Sequence, residues 1–174
     1  MKANTRRFNL FLALMALAVL CGCQTDKQDK KVSALRVHIE ASADESGTSD
    51  TVSILRSDPV LITAMREPIL TEANIVAAKV VDAPGGFAVE IQFDEIRAGM
   101  LEQYSAANPG KHFAIFGQWG EKLSNGRWLA APLITHRIAD GRLSFTPDMS
   151  REEADRFVLG LNNVAKKMHK GQLK

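Results

Sequence analysis

Between Phe87 and Phe93 apolar and polar side chains alternate, with Phe87, Val89, Ile91 and Phe93 on one face and Ala88, Glu90 and Gln92 on the other. Successive side chains of a strand point to opposite faces, so this period of two describes a half-buried strand. A helix would scatter the four large residues around its circumference. The five residues ahead of it, Asp82-Ala83-Pro84-Gly85-Gly86, are turn formers, which makes Ala77 to Val81 the antiparallel partner in a hairpin. An antiparallel sheet with one apolar face needs helices or a second sheet to cover that face.

The rest of the chain supplies the cover. Leu35, Val37 and Ile39 alternate with Arg36, His38 and Glu40 in another half-buried strand, and the polar stretch from Ala43 to Asp50 is a loop. Val52 with Ile54, and Val60 to Ile62, are two short strands separated at Asp58-Pro59. Asp94 can cap a helix whose Ile96, Met100, Leu101 and Tyr104 share one face, and Asn108-Pro109-Gly110 stops it. His112 to Phe116 and Trp128 to Ile134 are apolar enough for central strands, with Asn125-Gly126 as the turn signal between them. A last helix begins at Ser150, which forms a capping box with Glu153, and its Ala154, Phe157, Val158 and Leu161 recur at helical spacing. Lys166, Lys167 and Lys170 suit its negative end. The order of strands, helix, strands, helix predicts an α+β domain: a largely antiparallel sheet with two amphipathic helices on one face.

The amino terminus has a different character. Lys2, Arg6 and Arg7 precede an apolar run from Leu10 to Leu20, a charged region and a short hydrophobic region of the kind that directs export. Eleven helical residues span about 16 Å, against a hydrocarbon core of about 30 Å. The run ends in Leu20-Cys21-Gly22-Cys23, which matches the bacterial lipobox. Its chemistry needs a thiolate that accepts the lipid and a small residue beside the cleaved bond, and Cys23 and Gly22 meet those needs. The expected organisation is therefore a signal peptide over residues 1–22, a lipidated tether over 23–33 and one domain over 34–170. Acyl chains such as palmitate on Cys23 would anchor a bacterial lipoprotein facing the periplasm, and Gln24 rather than Asp after the lipid favours the outer membrane. Both cysteines of the chain lie here, so the domain must hold together without a disulfide.

Charge narrows the partners. Removing Lys2, Arg6 and Arg7 lowers the 22 Lys and Arg to 19, against 20 Asp and Glu, so the exported part is close to neutral and no nucleic-acid partner is expected. The four histidines, His38, His112, His136 and His169, are widely separated and are read as strand or terminal surface residues, so no metal is expected. There is no Gly-x-Ser-x-Gly elbow, Gly110-Lys111-His112 lacks the rest of a phosphate loop, and Asp94-Glu95 and Glu152-Glu153 open helices, where capping accounts for them. These patterns predict a protein that is not an enzyme and holds no cofactor. A hydrolase whose site assembles from distant residues is the alternative, and a deep pocket with converging polar groups would favour it over a shallow groove or open sheet edge. Trp119 and Trp128 are the candidate partner contacts. Trp119 lies within the Gly117 to Arg127 segment and Trp128 directly follows it, so that they either pair across a hairpin or leave Trp119 exposed as an anchor for a polypeptide.

From about Val52 to Leu161 the chain resembles the periplasmic head subdomain of SecD, the export-assisting membrane subunit of the bacterial translocase. The resemblance rests on Pro68-Ile69-Leu70-Thr71 with Asn74-Ile75, on Gly110-Lys111-His112-Phe113-Ala114-Ile115, and on Ala131-Pro132 with Ile134. Phe145-Thr146 followed by Glu152-Glu153-Ala154 completes it. The segment from Gly117 to Arg127 departs from it, being longer than the usual turn. SecD carries its head on a bundle of membrane helices with proton-conducting residues. No second apolar span of 18 or more residues exists in this chain, so the resemblance implies only the head's role: contact with exported polypeptides or envelope proteins, accessory to protein export.

Overall fold

The computed structural model describes residues 31–42 and 47–171. The expected signal peptide and the expected lipidation site, Cys23, lie outside the described residues. Nine strands, two helices and two short 3-10 turns follow one another in these residues, and every strand pair is antiparallel.

The strands form three sheets rather than the single one expected. β1 (Ala34–Ile39) is flanked by the short β4 (Leu70–Thr71) and by β7 (Phe113–Trp119), and β7 pairs with β8 (Asn125–Ala130), giving the order β4-β1-β7-β8. β2 (Ser49–Ile54) and β3 (Val60–Met65) make a separate two-stranded ribbon. β5 (Ile75–Ala83) and β6 (Gly86–Phe93) are the hairpin expected from the alternation, and β9 (Arg142–Phe145) adds to β6 to give the order β5-β6-β9. The turn of that hairpin uses Gly85 and Gly86 at positive φ, a backbone that side chains with a Cβ disfavour.

α1 (Glu95–Ala107) starts where Asp94 accepts a hydrogen bond from the Arg97 amide at 2.8 Å. Its buried positions are Leu101 and Ser105, with Met100 and Tyr104 half-buried. Ile96, expected on that face, is 75% exposed. Five residues at 100° each place it about 140° around the helix from Leu101, so it falls outside the stripe that the fold covers.

α2 (Arg151–His169) carries the reciprocal capping box of Ser150 and Glu153, and Ala154, Phe157, Val158 and Leu161 are buried. It packs chiefly on β5, with further contacts to β1, β6 and β7. Gly117 on β7 and Gly160 on α2 permit this approach. A Cβ at Gly117 would overlap Leu129 and press on Phe157, and one at Gly160 would overlap Ser33.

Both helices bury their apolar stripes in one large core with β1, β5, β6, β7, β8 and β9. The other face of the four-stranded sheet is covered by the β2-β3 ribbon, through a smaller core of Ile54, Ile62, Ala64 and Ala114 with Trp128 half-buried against it. β1 is therefore covered on both faces around His38, while Arg36 nearer its start stays exposed. His38, expected on a wet face, is 7% exposed beneath this cover. Among the described residues no helix is long and apolar enough to cross a membrane.

Candidate functional site

β8 leaves the sheet at Ala130, and the chain then runs as an irregular strap to β9. A bridge between His112 and Leu133 ties the strap to the start of β7. The Ser105 hydroxyl accepts a hydrogen bond from the Ile138 amide at 2.9 Å, and Arg137 pairs with Glu102 on α1. Gly141, at positive φ, passes so close to α1 that a Cβ would overlap Ala98. Between this strap and β9 lies an open groove of about 560 Å³.

Its lining is mostly apolar at depth. Phe113, Ile134 and Leu143 are buried beneath it, while Leu133 on its rim is 51% exposed. β9 is the end strand of its sheet, so no strand pairs with its outer side, where the Arg142 amide donates to the Asp140 carboxylate at 3.0 Å. The polar groups of the groove do not converge. His136 meets Thr135 at 2.9 Å, Arg137 is held by Glu102, and Arg142 is held by Gln92 and Glu90.

A second recess of about 310 Å³ lies on the ribbon side, between the β2-β3 tip and the face of β7 and β8. Leu55, Pro59, Phe116 and Trp128 line it. Trp128 is half-buried, its ring edge-on to Phe116 at 5.4 Å and to His38 at 5.2 Å. Arg56 closes one end by clasping Asp148 through Nε at 3.0 Å and a second guanidinium nitrogen at 3.3 Å, while its amide donates to the same carboxylate at 3.1 Å. Burial alone would raise the Asp148 pKa, but the bonds from Arg56 outweigh it and hold the carboxyl below its usual value.

Trp119 lies elsewhere. It is the last residue of β7, 2% exposed and on the α2 side of the sheet, edge-on to Phe157 at 5.9 Å with the Arg127 guanidinium 4.7 Å over its ring. Its cross-strand neighbour is Asn125, and Trp128 stands opposite Phe116 instead. The two tryptophans do not pair, and Trp119 offers no surface to a partner. The cause is the position of the turn: it spans Gly120 to Ser124, with Lys122 and Leu123 at positive φ, so Asn125-Gly126 opens β8 rather than forming the turn.

The remaining titratable residues are placed as follows. His38 donates from Nδ1 to the Met65 carbonyl at 2.8 Å, and burial pushes its pKa down further than that hydrogen bond raises it. His112 Nδ1 lies 2.7 Å from Glu40, and the neighbouring Lys111 donates to the Ser42 hydroxyl at 2.7 Å. Neither pair lines either recess. His169 is exposed at the end of α2. Asp94 and Glu153 cap their helices. No group of three His, Cys, Asp or Glu side chains able to hold a metal occurs among the described residues.

Comparison with known proteins agrees with this architecture. Residues 36–165 match the family model described as the SecDF P1 head subdomain. A solved SecDF, described as a membrane component that enhances protein export, is similar at 22% identity and a TM-score of 0.53 over 79% of this chain and 65% of that one. SecDF in a super-membrane-facing form is similar at 22% identity and a TM-score of 0.54, over 80% of this chain and 21% of that one. The chain thus spans about two thirds of the first and a fifth of the second. No curated protein sequence matches it. With three quarters of its length inside the family model and the same fold in the solved structures, this chain belongs to the SecDF P1 head subdomain family.

Proposed function

We propose that this protein is a non-enzymatic module of the cell envelope, anchored by lipid on Cys23, that holds exported polypeptides or envelope proteins as an accessory to protein export. The groove beside β9 carries the proposal. An extended segment laid between the strap and β9 meets an end strand with no neighbouring strand on that side, part-capped where Asp140 takes the Arg142 amide, and apolar side chains, Leu133 above all. Family membership supports the export context and the lipobox supports the anchor.

A hydrolase would need a nucleophile, a base and an orienting group gathered where a substrate can reach them. The groove's one hydroxyl–imidazole contact joins the adjacent exposed residues Thr135 and His136, and among the described residues no carboxylate is bonded to that imidazole. Cationic side chains of the groove are engaged by α1 and β6, and the Ser42-Lys111 and His112-Glu40 pairs lie outside it.

A photoreactive residue at Leu133 in the full chain, in intact cells, tests the site. We expect crosslinks to polypeptides in transit that increase when export is stalled. A matching residue at Arg156, exposed on α2, serves as control, and equal crosslinking from the two positions would overturn the assignment. Mass spectrometry of the mature amino terminus tests the anchor: a chain that does not begin with acylated Cys23 overturns that part.

A further inference from the structure

The tip of the β2-β3 ribbon exposes large apolar residues: Leu61 is 71% exposed, Val60 45% and Leu55 40%. Leu55 is also held at φ 66°, a left-handed backbone that side chains with a Cβ disfavour. Grouped apolar exposure of this kind on a small domain marks a contact with something less polar than water. The question is what covers it.

The place where the chain enters the fold supplies an answer. Ala34 is the first residue of β1 and stands opposite Gln118, which stands opposite Gly126. Gly126 in turn lines the recess shared with Leu55 and Pro59 of the tip. Two strand spacings of about 4.8 Å put the chain's point of entry about 10 Å from that recess. Upstream, only the eleven residues from Cys23 to Ser33 separate the thiol from Ala34, a chain length of at most about 40 Å. A lipid on Cys23 therefore keeps this end of the domain, ribbon tip included, within reach of the headgroups.

We infer that the tip of the β2-β3 ribbon docks on the lipid surface, with Leu55, Val60 and Leu61 seated among the headgroups and upper acyl chains. The inference rests on the lipid-anchor reading above. Charge defines the kind of surface. The charge of Arg56 is taken up by Asp148 and the tip also carries Asp58, so the contact is apolar and does not require anionic lipid. Docking in this pose leaves the groove beside β9 free, since the two recesses share no residue.

The test uses the full-length lipoprotein in phosphatidylcholine vesicles whose lipids carry bromine high on the acyl chains. Trp128, beside Leu55, is the reporter, and Trp119, buried against α2, is the unquenched reference. Brominated lipid should quench the wild-type emission, Trp128→Phe should remove the quenched component, and Leu61→Asp should abolish most of the quenching. Because Leu61 is exposed, its unfolding midpoint should not move, and Leu61→Phe should restore quenching. Undiminished quenching in Leu61→Asp overturns docking through the tip. Acylated protein that floats with the vesicles yet shows no quenching overturns docking and leaves the anchor standing, whereas protein without an acyl group on Cys23 removes both. A tip that crosslinks to polypeptide from position 61, without lipid quenching, likewise overturns the lipid assignment.

Discussion

Trp119 shows how one residue's place is set by the whole sheet. Phe113, Ile115, Gly117 and Trp119 occupy alternate positions of β7 and face α2, and the glycine is small because Leu129 and Phe157 fill the space over it. That alternation is present in the sequence. The glycines on either side of Trp119 obscured it, since Gly in a strand and Gly in a loop cannot be told apart without knowing that a helix lies on top. Removing the indole should therefore act on stability: Trp119→Ala is expected to cost about 3–5 kcal/mol in denaturant unfolding, as for other large aromatic truncations in cores. Crosslinking from Leu133, counted per folded molecule, should stay unchanged. A cost below about 1 kcal/mol would contradict the packing of Arg127 and Phe157 about the ring. The expectation for Cys23 is the opposite case, since it rests on its immediate neighbours in the sequence alone.

Elements specified by their own period are the ones the sequence discloses. The β5-β6 hairpin and α2 with its capping box appear where alternation, turn residues and helical spacing put them. The strap is different, because its shape depends on α1, β7 and β9 at once and it has no period of its own. The groove beside it was therefore invisible until the fold was known. The end strand β5 adds a device that no periodicity records: Asn162 of α2 accepts from the Ala78 amide at 2.9 Å and donates to the Ala78 carbonyl at 2.8 Å. Its carboxamide makes at Ala78 the two bonds a neighbouring strand would make, and so blocks the edge of the three-stranded sheet at that point. Asn162→Ala should lower stability by about 1–3 kcal/mol, the cost of stranding partly buried backbone groups. It should also raise concentration-dependent association in light scattering, as the freed edge of β5 becomes available to another chain. An unchanged unfolding midpoint together with unchanged scattering would mean that water replaces the carboxamide without penalty.

For the whole molecule, acid should act in two separate ranges, because the groups that join its parts have shifted pKa values of two kinds. His38 joins the ribbon to the four-stranded sheet through the Met65 carbonyl, and burial, with a smaller contribution from Arg36, keeps its folded pKa below the ordinary value of 6.5, against the raising effects of Met65 and Glu67. The unfolded chain then binds more protons than the folded one between those two values, so stability rises with pH there. It is fully present above about pH 6.5 and is lost as pH falls through the folded pKa. Asp148, clasped by Arg56, and Glu153, held by the Ser150 amide and Arg127 against the opposing effect of burial, are also lowered, but from the carboxylate range. Their contribution is present above about pH 4 and disappears below it. Thermal unfolding across pH should show a plateau near neutrality, a first decline below about pH 6.5 and a second below about pH 4. His38→Gln should remove the first decline and leave the second, while Asp148→Asn should weaken the second and leave the first. A His38→Gln protein that keeps the first decline would show that a group other than this imidazole carries it.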